Sequence, residues 1–566
     1  MIQVTANEYV ALPNINENDA SIPYLTVLNM EYRGMLELDG TSLLKPTIKI
    51  NNKEINLENK LSWTRVCYWI PKAEYENKDF KLSIIFLTPK DHKALAVRVS
   101  IENKSNKSFD FEIALNLNWS KTYHVVNESY EIKSEIIEKE SNWNHAKVYQ
   151  QFNKLPLISL SPMETNNSCG TLDVEEVYNY DYFLGVGYEE VSASTAAKHL
   201  KRIEFDELLK ENVAFLESKI IRNNDSFLEM ILNTNLFFSY YFSAGKTLDS
   251  EELVLATSRS PRYYVSAAYW DRDSLLWSYP SFLLIDEKLS KKVLEYVFTK
   301  QIKNIGEHSR FIDGSLLEPG FELDELCAPV LALEKYINKT GDNSILEESY
   351  LKSGLHVILE KLQTKRHKDI ALYETFLMPT DDFTKEQYLT YNNVLVYKVL
   401  IILSQYLKDE KLVVEAEKVK TAIYDYLVKD NMFVWSSDLN GHWSIYDEPP
   451  GSLQLLNFLG FCDKSSLIWN NTVNHIRSKD YKLSFATSSI SEIGCAHAPH
   501  PWILSLCNSL LCGYGKSAIE NLRKMKMDNF IACESVDEES GECATGEAFA
   551  TCAGFLAYSL YTYLNH

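Results

Sequence analysis

Over roughly the first 200 positions, apolar residues recur with period two. In 109–119, Phe109, Phe111, Ile113, Leu115, Leu117 and Trp119 alternate with Asp110, Glu112, Ala114, Asn116 and Asn118, so one face is buried and the other is wet. Leu95, Val97, Val99 and Ile101 repeat the pattern, and the polar stretch 103–108 between the two runs predicts a hairpin connection. The N-terminal part is therefore expected to be an antiparallel sheet domain folded as a β-sandwich.

After about Lys201 the period lengthens. Leu294, Val297, Phe298 and Ile302 fall on one helical face, as do Leu412, Ala416, Val419, Ile423 and Leu427. Further helices are expected over 228–242, 326–337, 392–407, 465–476, 501–511 and 549–564. A count near a dozen predicts paired helices in a closed ring. The expected partition is a β-sandwich domain at 1–205, a helical linker at 206–227 and a helical catalytic domain at 228–566.

Composition narrows the function class. A chain of 566 residues, 45% apolar, buries a large core and is long enough for two or more units. No uninterrupted apolar run reaches the roughly 18 to 20 residues of a membrane helix. The segment 1–23 lacks a basic stretch followed by an apolar one, and a cytoplasmic location is expected. A formal charge of −21 repels polyanions, and no Lys/Arg stripe interleaved with aromatics is present, so nucleic acid is not an expected partner. The ten Cys are irregularly spaced without a CxxC pair and read as reduced thiols. With 34 Tyr, 25 Phe and 10 Trp the chain is rich in flat rings, which suit cores and also stack on sugars.

Four loops between the helices concentrate acidic, aromatic, Gly and Pro residues. The first, 258–277, reads SRSPRYYVSAAYWDRDSLLW; its Trp270, Arg272 and Asp273 combine a ring, a fork of donors and an acceptor able to hold sugar hydroxyls. The competing reading is an Arg272 ion pair with Asp273 or Asp271 capping a helix beneath a core Trp. The second, 313–326, reads DGSLLEPGFELDEL and puts Glu318, Glu322, Asp324 and Glu325 at the start of a helix. A helix dipole accounts for one or two carboxylates there, whereas this stretch carries five with Asp313. A carboxyl held against aromatic rings has the raised pKa that a general acid requires. The third, 533–547, carries Glu534, Asp537, Glu538, Glu539, Glu542 and Glu547, any one of which reads singly as a solvated surface group. The fourth, 495–502, reads CAHAPHPW; Cys495, His497 and His500 are conceivable zinc ligands, while a His with Trp502 can equally line a sugar pocket. Thr380-Asp381-Asp382 and Asp447-Glu448 border the same region in this reading.

In their order, these segments resemble the glucoamylase-like superfamily of inverting glycoside hydrolases, over residues 226–566. The resemblance implies an N-terminal antiparallel β-sandwich followed by an (α/α)6 helical barrel. GFELDEL at 320–326 is similar to the family segment Gly-Phe-Asp-Leu-Trp-Glu-Glu, which implies that Glu325 is the general acid. Asp324 stands in place of the family Trp and Leu326 in place of the second Glu, so Asp324 is the alternative acid. CESVDEESGE is similar to the family's late Ala-Glu-Gln segment and implies that Glu534 is the general base. YWDRDS at 269–274 is similar to the Arg-Asp pair that grips the terminal sugar, a role falling to Arg272 and Asp273. The implied activity is exo-acting, inverting release of a terminal sugar from an α-glucoside or related oligosaccharide. Trp270, Trp277, Glu322, His497, His500 and Trp502 would border the sugar, with no metal or organic cofactor. The oligosaccharide is the one partner implied, and no oligomeric state follows. Two alternatives stand on the same fold: an inverting phosphorylase and a non-catalytic carbohydrate-binding protein. A zinc enzyme at Cys495, His497 and His500 is the third.

Overall fold

The period-two segments pair into two antiparallel sheets in the computed structural model, which describes residues 2–165 and 167–565. The first sheet runs in the order Ile2–Ala6, Val10–Asn16, Ile22–Asn29, Gly34–Ile50, Phe109–Leu117, Cys169–Leu172. The second runs Ile136–Glu140, Lys147–Asn153, Leu155–Glu164, Val177–Gly187, Ala94–Asn103, Phe80–Leu87, Ile70–Glu76, Ser62–Val66. The alternation in both marker segments is as expected: Phe109, Phe111, Ile113 and Leu115 share one core with Leu95, Val97, Val99 and Ile101. The hairpin between them is not formed. Ala94–Asn103 belongs to the second sheet and Phe109–Leu117 to the first, so 103–108 crosses between sheets. Each strand buries a single face, and the two faces meet across the core instead of lying side by side. Asn103 pins the crossing, its Nδ2 donating to the carbonyls of Lys107 and Leu172, both at 3.0 Å.

Helices begin earlier than the change of period indicates. Helix α1 (Glu190–Ile203) packs on the strands Leu155–Glu164 and Val177–Gly187 through Ala193, Ala197 and Leu200. The last strand is thus buried on both faces along most of its length, which explains its continuous apolar run. The close approach requires glycine: a Cβ at Gly185 would lie 2.0 Å from the Ala193 carbonyl oxygen. Two further helices, α2 (Phe205–Glu217) and α3 (Ser226–Phe242), complete the first compact unit, which runs to Val254 and takes back Arg259–Ala267. Helix α3, which period alone assigns to the helical domain, belongs here: Tyr241 stacks on Trp69 at 5.2 Å. Arg259, fully buried, donates to the carbonyls of Asn7 and Tyr241 at 2.7 and 2.8 Å.

The second unit comprises Leu255–Ser258 and the chain from Ala268 onward. Its α-helices are α4 (Tyr279–Ile285), α5 (Glu287–Thr299), α6 (Leu323–Thr340), α7 (Ser349–Thr364), α8 (Thr390–Leu407), α9 (Lys411–Tyr426), α10 (Leu455–Phe458), α11 (Leu467–Ile476), α12 (Ile503–Leu511), α13 (Gly515–Leu522) and α14 (Ala550–Asn565). Ile302 falls outside α5, in a separate 3-10 turn at Gln301–Asn304. Alternate helices form a circuit in which α4 packs on α6, α6 on α8, α8 on α10, α10 on α12, α12 on α14 and α14 back on α4. Among the described residues no helix is long and apolar enough to cross a membrane.

Replacing Gly185 with Val is expected to lower stability by about 1–3 kcal/mol, because the added methyls must displace α1 from the sheet. The measurement is a lower urea midpoint for the parent-like unfolding transition; an unchanged midpoint would show that the helix is free to move.

Candidate active site

The segment after the first unit's last return enters the second unit through Tyr269 and Trp270 and then coils as a π-helical turn, Arg272–Ser278, running into α4. Helix N-termini leave backbone N–H groups without partners. Here Glu325, one turn into α6, supplies the acceptor: its Oε1 accepts from the Arg272 N–H at 2.8 Å and its Oε2 from the Asp271 N–H. Arg310 Nη2 stands 3.4 Å from Oε2. Glu325 is fully buried. Both of its oxygens are committed to holding the start of the π turn against α6.

Anchored in this way, the Arg272 side chain reaches into a ring of carboxylates. Its Nη1 donates to Glu322 Oε2 at 2.6 Å and to Asp324 Oδ2 at 2.9 Å, and its Nη2 donates to Asp381. Asp273 lies alongside, with Oδ2 3.9 Å from Arg272 Nε and Oδ1 accepting from Thr551 Oγ1 on α14 at 2.8 Å. Below them Arg310 pairs with Asp271, which also accepts from the Tyr269 hydroxyl at 2.6 Å. Burial pushes the Asp273 carboxyl up to about 7, against the opposing Arg272 charge. Burial likewise raises Glu322 well above the usual carboxylate range. The other Asp324 oxygen, Oδ1, is buried and has no hydrogen-bond partner.

The structure thus brings Trp270, Arg272, Asp273, Glu322, Asp324 and Glu325 into one cluster. Trp270 is 2% exposed and meets His308 edge to face at 5.5 Å, and His308 Nδ1 lies 2.6 Å from Glu322 Oε1. Trp277 instead sits on the inner wall below, its ring 5.9 Å from the Arg272 guanidinium and edge-on to Phe549, and it lines a cavity of about 440 Å³ with Leu331 and Tyr391. Glu534 precedes a small hairpin, Ser535–Val536 with Cys543–Thr545; it is 3% exposed, and its Oε2 accepts from Thr545 Oγ1 at 2.6 Å. Its carbonyl accepts from Ile503 N–H at the start of α12 at 3.1 Å. The rest of that acidic run faces outward: Asp537 caps the turn at Ser540, Glu538 pairs with His500 at 3.0 Å and Glu542 with Lys526 at 3.0 Å.

His497 pairs with Asp382 at 3.4 Å, and Trp502 donates its indole N–H to the Ala498 carbonyl at 2.9 Å. Cys495, His497 and His500 therefore do not converge as zinc ligands: the two imidazoles answer different carboxylates, Asp382 and Glu538. Among the described residues the one set with metal-ligand spacing is His308, Glu322 and Asp381, whose atoms lie within 4.8 Å of one another. Arg272 already donates to two of the three, so a positive charge occupies the place a cation would take.

His308 and Arg310, which periodicity and motif do not single out, complete the cluster together with Asp271 and Asp381. Asp381 is in the left-handed region at φ 68, an uncommon conformation outside glycine and a mark of a constrained loop. Glu448 is fully buried, with Oε2 accepting from Thr380 Oγ1 at 2.9 Å and Oε1 unpartnered, and burial raises it well above the carboxylate range.

A family model described as metal-independent alpha-mannosidase matches residues 360–560. No curated protein matches the chain in sequence. A solved Streptococcus pneumoniae structure from a family of metal-independent alpha mannosidases, a non-productive complex with alpha-1,6-mannobiose, is similar with a TM-score of 0.53 at 16% identity, covering 64% of this chain and 98% of its own. A bacterial glucoamylase complexed with acarbose is similar with a TM-score of 0.63 at 10% identity, covering 100% of this chain and 95% of its own. At these identities the solved structures speak for the fold. With the family match they support the (α/α)6 glycoside hydrolase superfamily, and a glycoside hydrolase of that type.

Two outcomes follow from the geometry. Glu325→Gln keeps one acceptor oxygen and turns an amide NH2 toward the other backbone N–H, and should lower stability by about 1–3 kcal/mol, seen as a lower melting or urea midpoint. Asp273 has a folded pKa raised to about 7, so the folded state holds a proton that the unfolded chain has lost. Its contribution to stability is present at acid pH and declines as pH rises through about 7. Asp273→Asn should therefore be less sensitive to pH than the parent between about pH 4 and 7. Parallel stability–pH curves for the two proteins would refute the buried proton.

Proposed function

We propose that the chain is an exo-acting, inverting glycosidase that removes a terminal sugar from an α-linked oligosaccharide, with Asp324 as general acid and Glu534 as general base on an (α/α)6 barrel. The observation that carries this reading is the division of labour between two adjacent carboxyls at the head of α6. Glu325 has both oxygens tied to the backbone of the π turn and to Arg310. Asp324 has one oxygen oriented by Arg272 and the other buried without a partner. Only Asp324 has an oxygen free to deliver a proton to a leaving oxygen, so the acid role moves from the residue the motif favours to its neighbour.

Glu534 would remove a proton from the attacking water, held in place by Thr545. Arg272 and Asp273 would grip the terminal sugar, with His497 at the rim. For inversion the two carboxyls should stand about 6.5 to 9.5 Å apart in the substrate complex. The family match favours an α-mannoside. The glucoamylase likeness extends over the whole chain and favours an α-glucoside as the second reading. Phosphorolysis finds little support, because the carboxylates around Arg272 would repel a phosphate. All ten cysteines are free, in keeping with a reducing compartment.

The test is a panel of α-mannosides and α-glucosides with NMR of the first-formed anomer, with and without phosphate or chelator. The β-anomer should appear first, independent of both additions. Asp324→Asn and Glu534→Gln should each lose about 10²–10⁴ in kcat while still folded at the assay temperature, whereas Glu325→Gln should show its loss of stability first. If Asp324→Asn retained activity within about tenfold of the parent, the assignment of the acid would be wrong.

A further inference from the structure

We infer that Phe376 and Phe383 form a stacking platform for the sugar on the leaving-group side of the cleaved bond, so that the preferred substrates are oligosaccharides with a pyranose beyond the terminal residue. This inference rests on the glycosidase reading above and narrows its substrate class.

Phe376 is 54% exposed and Phe383 is 71% exposed, and the rings meet edge to face at 5.1 Å. By contrast Trp270, Trp277 and Trp502 are each 5% exposed or less and offer no open ring face. The loop that carries the two Phe is fastened to the segment immediately before the acid. Phe376 N–H and Leu377 N–H donate to the Phe321 carbonyl at 3.1 and 3.2 Å. The Leu323 N–H donates to Thr375 Oγ1 at 3.1 Å. Its tip is fastened as well, through Asp381 to Arg272 and through Thr380 Oγ1 to Glu448 at 2.9 Å. Met378 N–H donates to the Asp382 carbonyl at 2.7 Å, closing the loop on itself.

Two large rings on so constrained a loop do not find cover by folding inward. They present apolar faces on a loop fastened to the segment before Asp324, while Asp382 on that loop, paired at 3.4 Å with His497 of the 495–502 segment, adds polar groups beside them. A pyranose has this same division: a C–H face that packs on an aromatic ring and a hydroxyl edge that seeks acceptors and donors. The terminal sugar is gripped inside by Arg272 and Asp273, which leaves the rim for the unit that departs.

The experiment compares a substrate that reaches the platform with one that cannot. α-Mannosyl and α-glucosyl fluorides lose only fluoride and touch no leaving-group site; an α-1,6-linked mannotetraose and maltotetraose extend past the cleaved bond. In the double variant Phe376→Ala/Phe383→Ala, the ratio of kcat/KM for the tetrasaccharide to that for the fluoride of the accepted sugar should fall roughly tenfold or more, chiefly through KM, as expected for the loss of one or two ring contacts. Phe383→Tyr in the parent should keep the ratio. A ratio within about twofold of the parent, or an equal loss on both substrates, overturns the platform while leaving the glycosidase reading intact. If the parent turns over neither the fluorides nor the tetrasaccharides, the glycosidase reading fails and the platform fails with it.

Discussion

One buried guanidinium organises the helical unit. Arg272 is 1% exposed and touches Glu322, Asp324 and Asp381, with Asp273 beside it. These carboxylates come from the head of α6, from the loop before α8 and from the π turn itself, so one side chain ties three separate chain segments together. A buried charge is costly to desolvate, and removing its partners leaves the cost uncompensated, at about 3–5 kcal/mol for a broken buried pair. The arrangement is therefore stable only as a complete set. It also explains why Glu325 must clamp the backbone at Asp271 and Arg272: a shift of the π turn would withdraw the guanidinium from every partner at once.

The same cluster sets the protonation of the site. Arg272 and Arg310 are two positive charges, while Asp271, Asp273, Glu322, Asp324, Glu325 and Asp381 are six carboxyls packed about them. Asp381 is exposed, whereas burial raises Asp271, Asp273, Glu322 and Glu325 against the pull of the two arginines. Protons must be retained, and the raised Asp273 and Glu322 show where burial stores them. In the proposed mechanism the two arginines would supply the positive field of the site.

Much of this was legible in the sequence, for identifiable reasons. The alternation at Phe109–Trp119 and Leu95–Ile101 reported two one-sided strands, because each has a single buried face. It could not report whether they were neighbours in one sheet or opposed across the core, since both arrangements bury the same residues. Helix α1 escaped detection because its buried face consists mostly of small residues, Ala193, Ser194 and Ala197, with Leu200 the one large apolar side chain buried there. In the site, Arg272, Asp273, Glu322, Asp324 and Glu325 were visible as dense motifs. Asp381 was visible only as part of an acidic segment bordering the site, and Arg310 and His308 were not visible, because each comes from a segment with ordinary local composition and acquires meaning only from its partners in space.

The choice between Asp324 and Glu325 shows why a motif can point one residue away from the chemistry. Neighbouring residues on a helix point about 100° apart, so two adjacent carboxyls at an N-terminus face different surroundings. Glu325 is directed at the start of the π turn, where free backbone N–H groups demand an acceptor. Asp324 is directed at the guanidinium and keeps one oxygen unsatisfied. A sequence aligned by residue type rewards the glutamate. The backbone's need for a cap ties that glutamate up and leaves the aspartate, shorter and less committed, as the carboxyl to which the proposed acid role falls.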